Sequence, residues 1–443
     1  MANFTPREQL MLELVNRARM DPNGEAARYG ITLNQGLAAG AISSTPKQVL
    51  AGNDQLRTAA SSHSAWMINN DLFQHNELLG TLGFAGVTPT ARMTAAGYAF
   101  SGSWSNGENI AFVGTTGALD ATQAIYDEHR NLFLSTHGHR QNLLMDNFRE
   151  VGIGQVNGGF TQSGVTYNSS MITQDFTVSG SKVFVTGVVY NDTVSNDNFF
   201  TVGEQTASRA VTVTGGFADS TGPGGGYELG FTSGGAKTIS FDLSGGAVSV
   251  KLTLGSANLK VDVVNGTEVW TNASVASLST VVKELHALGI SAMSLTGSAA
   301  SEKIFGNSAA NALSGAGGND SLSGSGGNDS LIGGSGHDKL TGGSGADRFV
   351  FKAASESGLD AAHDTIADFQ DSGADVIDLS AVWSGTLTYR GISAFTGADQ
   401  VRVTASGSDV IVHVNLDADS TDEMQILLTG TKLGDMLKGD FIL

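Results

Sequence analysis

Cysteine is absent from all 443 residues, which excludes disulfide-stabilised scaffolds, thiolate metal sites and cysteine nucleophiles. Basic residues are scarce, since 24 Lys and Arg face 43 Asp and Glu and the net charge is −19. Nucleic acids and anionic membrane surfaces bind basic patches, so neither is an expected partner. No run of 18 apolar residues occurs, so no transmembrane segment is expected. The first residues also lack the apolar stretch of a secretory signal peptide.

Glycine, by contrast, is abundant, and acidic charge is concentrated near one end. The 59 glycines make up roughly 13% of the chain, against a usual ~7%. The length predicts roughly three domains. Residues 301–443 carry 20 acidic and 8 basic residues, a net charge of −12. We therefore expect the C-terminal third to attract cations.

A nine-residue repeat explains both features. Large apolar residues recur every nine positions from Leu295 to Phe349, within units such as LSGSGGNDS and LIGGSGHDK. Each glycine-rich part predicts a tight turn, because glycine permits positive φ angles. Carboxylate and carbonyl oxygens from stacked turns are the ligands that Ca²⁺ prefers. An aspartate stands two residues before each of the last four apolar residues, and Glu302 and Asn311 take its place upstream. The predicted calcium ligands are Gly315, Gly318, Asp320, Gly324, Gly327, Asp329, Gly333, Gly334, Gly336, Asp338, Gly342, Gly343, Gly345 and Asp347.

These units resemble the RTX nonapeptide, G-G-x-G-x-D-x-U-x with U a large apolar residue. Two units depart from it, with Ala316 and Ser325 in place of the second glycine. A flexible Gly/Ser linker is the alternative, but a linker would not hold aspartate and leucine in phase. The resemblance implies a parallel β-roll over residues 295–350, with Ca²⁺ bound between its turns.

The sequence that follows, residues 351–443, resembles the C-terminal region of serralysin-type secreted proteins. That resemblance implies a β-rich cap, a signal for the type I secretion machinery near Phe441-Ile442-Leu443, and an extracellular location. It does not extend to the protease, because the H-E-x-x-H zinc motif is absent. Calcium-linked folding would suit this route, because the roll would stay unfolded in a cytosol that is low in Ca²⁺.

Residues 1–180 have a different, helical pattern. Thr5 to Glu8 form a capping box, and helices are expected near residues 54–67 and 118–134. His63 and Glu128 fall on apolar helix faces. His63 is interpreted as a core histidine with a partner, and Glu128 either reaches solvent as a boundary carboxylate or belongs to a site.

Several ordered segments then resemble the CAP superfamily in a cysteine-free form. They are LFQH at 72–75, GENIA at 107–111, YDE at 126–128 and GHRQNLL at 138–144. The resemblance implies an α-β-α sandwich with a central groove, and it places the family's His/Glu tetrad on four residues. These candidate site residues are His75, Glu108, Glu128 and His139.

Such a tetrad could hold Zn²⁺ or act as an acid/base set. The favoured function is non-enzymatic binding of a lipid, a peptide or a cell-surface ligand in the groove. The alternative is a metal-assisted hydrolase that uses the tetrad. No G-x-S-x-G motif is present, and the sequence assigns no catalytic role.

Between these parts, residues 181–290 alternate Val, Thr and Phe with glycine turns, which predicts an antiparallel β-sandwich that acts as a spacer. The segment 191–198, with Glu204, is either a calcium loop or a polar turn, and a short helix is expected over 278–288. The predicted fold class is thus multidomain, α+β and all-β, with domains at 1–180, 181–290, 295–350 and 351–443.

Overall fold

The computed structural model describes residues 3–370 and 375–443. Residues 1–2 of the predicted N-terminal domain and residues 371–374 of the predicted C-terminal region lie outside this description. Two compact units are present, one made of Met1–Ser244 with Leu254–Gly266 and the other of Gly245–Thr253 with Thr267–Leu443. The chain is mostly β-structure with few helices.

All α-helices within residues 3–370 and 375–443 lie in the first unit. They are α1 (Pro6–Met20), α2 (Pro22–Arg28), α3 (Asp54–Asn70), α4 (Pro89–Ala95), α5 (Ala121–Leu134) and α6 (His139–Leu143). The strands of the N-terminal half are β1 (Ala51–Gly52), β2 (Trp104–Thr115), β3 (Glu150–Gln162), β4 (Val165–Ser179), β5 (Val183–Tyr190), β6 (Ala210–Val213), β7 (Ala218–Ser220), β8 (Gly226–Phe231), β9 (Gly235–Leu243), β10 (Gly246–Leu254) and β11 (Leu259–Val264).

The remaining strands are shorter and belong to the second unit. They are β12 (Glu268–Thr271), β13 (Val275–Leu278), β14 (Glu284–Ala287), β15 (Ser294–Thr296), β16 (Lys303–Phe305), β17 (Ala312–Gly317), β18 (Ser321–Ser323), β19 (Ser330–Ser335), β20 (Lys339–Thr341), β21 (Arg348–Val350), β22 (Asp364–Ile366), β23 (Val376–Asp378), β24 (Thr388–Tyr389), β25 (Gln400–Ser406), β26 (Asp409–Asn415), β27 (Met424–Leu428) and β28 (Phe441–Ile442).

Local sequence signals fix the helices of the first unit. The Thr5 side chain accepts a hydrogen bond from the Glu8 backbone, Glu8 reaches back to the Thr5 N–H, and Pro6 opens α1. The predicted capping box is therefore present. Helix α3 begins after Asn53, whose side chain accepts hydrogen bonds from the first turn. The helices expected near residues 54–67 and 118–134 are confirmed as α3 and α5.

A four-stranded sheet in the order β1-β3-β4-β2 supports these helices. Helix α3 lies close against β3, because a Cβ on Gly152 would come within 2.0 Å of the Leu56 carbonyl carbon. A Cβ on Gly154 would similarly meet the backbone of Ser61 at 2.1 Å. Only glycine permits this approach, so these two positions bring the face of α3 that bears His63 onto the sheet.

The rest of the first unit is a β-rich segment. Strand β5 pairs in parallel with β11 and antiparallel with β8, while β6 pairs antiparallel with β7 and β9. Buried Lys260 of β11 forms an ion pair with Glu13 of α1 at 2.8 Å. The segment predicted as one sandwich, 181–290, is divided, because β10 and β12–β14 belong to the second unit.

The second unit is a roll of two parallel ladders. Strands β13, β15, β17, β19, β21, β23 and β28 follow one another in one ladder, and β12, β14, β16, β18, β20, β22 and β27 in the other. In the first ladder Leu295 pairs with Leu313 and Leu313 with Leu331, 18 residues apart. One coil of the roll therefore contains two nonapeptides. The helix expected over 278–288 is wrong, because Glu284–Ala287 form strand β14 and pair with β12 and β16.

The core of the roll is a column of single apolar side chains. Leu295, Ile304, Leu322, Leu331 and Leu340 are all fully buried. The column continues beyond the nonapeptides, because β21 pairs with β23 and β20 with β22. An antiparallel hairpin of β25 and β26, joined to β27, follows the roll. No helix in the described ranges is long and apolar enough to cross a membrane.

Candidate functional site

Three of the four residues of the predicted tetrad lie together. His75 follows α3 in a loop, and its Nδ1 is 2.8 Å from Oε1 of Glu108, which lies on β2. The His75 and His139 rings have centroids 6.4 Å apart. His139 begins α6, where Gly138 adopts a positive φ, and its carbonyl accepts a hydrogen bond from Asn109.

Glu108 is buried and bound on two sides. Besides His75, the buried guanidinium of Arg92 on α4 donates a hydrogen bond to its other oxygen. Burial would raise the pKa of Glu108, but the hydrogen bonds of His75 and Arg92 and the charges of Arg92 and His63 outweigh it and lower the pKa. Glu108 is therefore a buried carboxylate that already has two side-chain partners, His75 and Arg92.

Asp175 is a neighbour of the cluster formed by Glu108, His75 and Arg92, and sequence reasoning did not find it. It lies on β4, directly opposite Glu108 of β2, and is fully buried. Burial, with the nearby negative charge of Glu108, raises the pKa of Asp175 well above its usual range. Neither carboxylate oxygen of Asp175 has a hydrogen-bond partner among the described residues. Its signal in the sequence is an acidic residue inside the apolar strand segment MITQDFTV.

His63 has the partner that a core histidine needs. Its Nδ1 is 3.1 Å from Oε1 of Glu77 and its Nε2 is 3.1 Å from the Gln74 carbonyl. The ring stacks on Trp66, and burial is the main cause that lowers its pKa. His63 is thus a buried positioning residue beside Glu108, whose Oε1 is 3.9 Å away.

Glu128, the fourth residue of the tetrad, lies elsewhere. It is fully buried on α5, close enough to the Ser170 hydroxyl on β4 for that group to act on its pKa. Ser170 and Asp175 are five residues apart on one regular strand, so their side chains point to opposite faces of the sheet. Neither carboxylate oxygen of Glu128 makes a well-formed hydrogen bond. Burial raises the pKa of Glu128 to about 8, although the Ser170 hydroxyl acts to lower it.

An apolar cavity of about 230 Å³ lies beside His139. Phe73, Phe112 and Leu132 contribute apolar walls, and Asn131 and Ser135 of the α5 end contribute polar groups. Drug-sized ligands usually occupy ~300–1,000 Å³. The cavity therefore has room for one apolar group, such as a short acyl segment or a side chain.

The predicted zinc site is not assembled by all four residues. Within residues 3–370 and 375–443, ligand atoms of three or more His, Asp or Glu side chains converge within 4.8 Å in two groups, and neither contains the tetrad. Glu108 is occupied by Arg92 and His75, and Glu128 is on the other face. The imidazoles of His75 and His139 remain close together, with ring centroids 6.4 Å apart, and the zinc site stays a prediction.

The aspartates of the roll show a regular pattern of hydrogen bonds. Oδ1 of Asp338 accepts the backbone N–H of Asp320, one coil earlier, at 2.8 Å. The same bond joins Asp347 to Asp329 at 2.8 Å. The second oxygen, Oδ2, is buried in each case and accepts no hydrogen bond. Such orphan oxygens occur at Asp320, Asp329, Asp338, Asp347 and Asp364.

A glycine lies against the unpaired Oδ2 of each of the four nonapeptide aspartates. A Cβ on Gly315 would lie 2.1 Å from Oδ2 of Asp320, and one on Gly324 would lie 2.2 Å from Oδ2 of Asp329. A carbonyl oxygen from the next coil faces the same space. A Cβ on Gly324, for example, would lie 2.6 Å from the carbonyl oxygen of Gly342. The first glycine of each repeat thus leaves room for oxygen atoms only.

Burial raises the pKa of each of these carboxyl groups. The pKa of Asp320 rises to about 7, that of Asp329 to about 6 and that of Asp364 to about 8, and burial is the first cause in all three. Buried carboxylates without donors need a positive charge. Oxygen-only surroundings of this kind fit a hard cation such as Ca²⁺.

Two further aspartates continue the pattern. Oδ1 of Asp364 accepts the N–H of Asp338 at 2.8 Å, and Oδ1 of Asp375 accepts that of Asp347 at 2.9 Å. They lie 26 and 28 residues beyond their partners instead of 18, so the nine-residue count missed them. The surviving signal is the aspartate two positions before Ile366 and Ile377.

The segment 191–198 is a polar turn in this structure. Oε1 of Glu204 accepts the backbone N–H groups of Thr193, Val194 and Ser195. The carboxylate of Asp192 accepts that of Asn198 at 2.8 Å. These carboxylates already have donors, which distinguishes them from the aspartates of the roll.

Comparisons with known proteins match two parts of the chain. The model of the cysteine-rich secretory protein family, CAP, matches residues 12–176, and that of the peptidase M10 serralysin C terminal matches residues 266–443. None of the curated proteins is similar enough to count as a match.

Solved structures show local similarity only. The AlgE6R3 subunit of the Azotobacter vinelandii mannuronan C5-epimerase is 30% identical (TM-score 0.26), over 32% of this chain and 78% of that one. The AlgE6R2 subunit of the same enzyme is 28% identical (TM-score 0.28), over 33% and 90%. An extracellular protein containing a SCP domain from Bacillus anthracis is 22% identical (TM-score 0.21), over 36% and 39%.

Together with the ordered motifs and the roll, the two family matches agree with the predicted resemblances. Residues 12–176 of this chain therefore belong to the CAP family, and residues 266–443 are a serralysin C-terminal domain of the peptidase M10 type.

Proposed function

We propose that this is an extracellular protein whose C-terminal unit folds on binding Ca²⁺, after export by a type I secretion system. The observation that carries the proposal is the row of buried Oδ2 atoms without donors, one in each of the four nonapeptides that contain an aspartate. An ion between successive turns would compensate their charge. The presence of a serralysin C-terminal domain supports both the export route and the extracellular location.

The ligands of these ions would come from the turns themselves. The carboxylates of Asp320, Asp329, Asp338 and Asp347 supply negative charge, and the carbonyls of the glycine-rich turns supply neutral oxygens. A ligand that binds only the folded state stabilises it by RT ln(1 + [L]/Kd). Extracellular calcium modules have Kd values of roughly 10⁻⁴–10⁻³ M. The roll would therefore be unfolded in the cytosol and folded outside the cell.

Calcium binding to the full chain tests this proposal through one carboxylate. Asp338→Asn keeps the size of the side chain and its Oδ1 acceptor but removes the charge. We expect this variant to bind at least one Ca²⁺ fewer than the parent in equilibrium dialysis. Asp242→Asn, a matched change of an exposed aspartate, should bind as many ions as the parent. Equal binding by all three proteins would contradict the proposal.

For the N-terminal domain we propose non-enzymatic binding of an apolar group, within an α-β-α arrangement of the helices around the four-stranded sheet. The supporting observation is the cavity of about 230 Å³ beside His139, with its three apolar walls. A lipid chain or an apolar side chain of a peptide or cell-surface protein would enter it, and His75 and His139 would contact the polar end.

Mass spectrometry of the lipids and metals that co-purify with the full chain tests this binding role. A bound lipid that is lost in Leu132→Trp, which fills the cavity, would support it. A wild-type protein free of lipid, and unable to take up a fluorescent fatty acid, would contradict it for lipids and leave a peptide side chain as the apolar group.

A metal-assisted hydrolase is the second candidate function. The observation in its favour is the bond between Glu108 and Nδ1 of His75, since a carboxylate at one imidazole nitrogen prepares the other nitrogen for a metal. Zinc calorimetry on the parent, His75→Ala and His139→Ala separates the two functions. Zinc binding and ester hydrolysis that are both lost in these folded variants would favour the hydrolase.

A further inference from the structure

The loop between β26 and β27, residues 415–423, carries oxygen ligands at alternate positions. It reads N-L-D-A-D-S-T-D-E, with Asn415, Asp417, Asp419 and Glu423 at the first, third, fifth and ninth places. Known twelve-residue calcium loops use side chains at positions 1, 3 and 5, a carbonyl at 7 and often a water at 9. The loop follows the nonapeptides by more than sixty residues and is not one of them.

The three carboxylates of this loop converge in space. One ligand oxygen from each of Asp417, Asp419 and Glu423 lies within 4.8 Å of the other two. Among the described residues, none of the three forms an ion pair with a Lys, Arg or His side chain. Their hydrogen bonds are to backbone N–H groups and a Thr hydroxyl, such as that from Leu416 to Glu423 at 2.6 Å. Three like charges are thus held together without a cation.

A second, independent observation is the side chain of Asn415. It is completely buried, and its Nδ2 donates to the carbonyls of Asp419 and Thr421, both at 2.8 Å. The amide is therefore oriented inside the loop, and its Oδ1 has no hydrogen-bond partner. A buried carbonyl oxygen without a donor is costly, and a bound cation would satisfy it.

The other converging group in the described residues gives a useful contrast. Glu268, Glu284 and His286 also bring their ligand atoms within 4.8 Å. There, however, Lys303 donates to Glu284 at 2.8 Å and supplies the positive charge. In the loop 415–423 the one basic partner among the described side chains is His413, whose Nδ1 is 2.7 Å from Asp422, and none of the three converging carboxylates has such a partner.

We propose that the loop 415–423 is a separate Ca²⁺ site, bound by the carboxylates of Asp417, Asp419 and Glu423 with Oδ1 of Asn415. The donors are all oxygen, and a flexible loop with several carboxylates suits Ca²⁺, with water completing its six to eight ligands. A bound ion would fix the turn between β26 and β27. The site goes beyond the roll and does not depend on it.

Native mass spectrometry of the full chain in saturating Ca²⁺ tests the site. We expect Asp417→Asn/Asp419→Asn to hold one ion fewer than the parent. The matched control, Asp242→Asn/Asp435→Asn, changes the charge equally at exposed positions and should hold the same number as the parent. An equal count in the loop variant, or an equal loss in the control, would overturn the proposal.

Folding is checked in the same samples. The far-UV circular dichroism of the loop variant in Ca²⁺ should match the parent, which shows that the roll still binds its ions. If the double variant fails to fold, Glu423→Gln, which keeps the acceptor for Leu416, should weaken the binding of a single ion at least tenfold. Unchanged affinity of every ion in that variant would also overturn the site. If the roll itself bound no calcium, the parent would hold only the single ion of the loop, so failure of the roll proposal is distinguishable from failure of the loop site.

Discussion

Two residues of the roll occupy a backbone conformation that suits glycine better. Ala316 and Ser325 have φ angles of 77° and 76°, where the equivalent Gly334 and Gly343 have 99° and 97°. A left-handed conformation costs a non-glycine residue roughly 1–2 kcal/mol. The sequence departs from the repeat pattern at these two places without changing the course of the backbone.

Ala316→Gly should therefore stabilise the second unit. Part of the gain is offset because glycine makes the unfolded chain more flexible, so we expect about 0.5–1 kcal/mol. Urea unfolding in Ca²⁺ measures the change. Ala312→Gly, an exposed strand position with an ordinary φ, serves as the control and should destabilise by a similar amount. Equal effects of the two substitutions would contradict the strain at Ala316.

Glu128 makes a prediction about pH. Its pKa in the folded protein is about 8, above the unfolded value of 4.5, because burial disfavours the anion. A raised pKa stabilises the folded state below pH 4.5, and this contribution is lost as pH rises from about 4.5 to 8. Relative to Glu128→Gln, the parent should lose up to about 1.4 kcal/mol of unfolding free energy per pH unit in this window.

Urea unfolding of both proteins at pH 5, 6, 7 and 8 provides the measurement for Glu128. The free-energy difference should grow with pH. A constant difference for Glu128→Gln would mean that the carboxyl is ionised in the folded protein.

At the scale of single elements, the first glycine of each repeat determines whether a turn can hold an ion. A Cβ on Gly324 would lie 2.2 Å from Oδ2 of Asp329, so Gly324→Ala should displace this ligand. We expect the Ca²⁺ concentration at half-maximal folding, followed by circular dichroism, to rise severalfold or more. Gly397→Ala, at an open position with an ordinary φ, should leave it unchanged. A similar midpoint in both variants would disprove this role of Gly324.

The elements also show where sequence reasoning succeeds and where it ends. Ligand and core positions of the roll follow one another within nine residues, so the local pattern predicted the repeated turns. The pattern was lost after Phe349, because longer insertions precede Asp364 and Asp375 while the ladders continue. The strand β14 was mistaken for a helix, because a four-residue strand is too short to show a period.

The cluster around Glu108 depended on tertiary pairing and was only half predicted. Motifs identified His75, Glu108 and His139, which the fold brings together. Arg92 comes from a separate helix, and Asp175 meets Glu108 only through the register of β2 and β4. Glu128 was grouped with them by motif alone, since no local signal states which face of the sheet a helix covers.

At the scale of the whole molecule, protons and calcium compete for the same carboxylates. The pKa values of about 7, 6 and 8 at Asp320, Asp329 and Asp364 lie above the ordinary 3.8. Without Ca²⁺, the roll should gain stability as pH falls from 8 to 5, because burial favours the protonated forms. With Ca²⁺ at a fixed, partly saturating concentration the roll should instead be more stable at pH 8 than at pH 5, because the ion requires deprotonated ligands.

Circular dichroism at pH 5 and pH 8, each with chelator and with Ca²⁺, measures this competition. We expect the two pH series to cross, with calcium adding more β-structure at pH 8 than at pH 5. Parallel series would show that the buried aspartates do not bind the ion.

The central claim is that divalent ions let the second unit fold by compensating its buried aspartates. Far-UV circular dichroism of the full chain, first in excess chelator and then during calcium addition, tests it most directly. We predict a large, cooperative gain of β-structure at about 10⁻⁴–10⁻³ M Ca²⁺, the range of extracellular calcium modules. A spectrum that already shows the complete β-content in chelator, and does not change with calcium, would contradict the account.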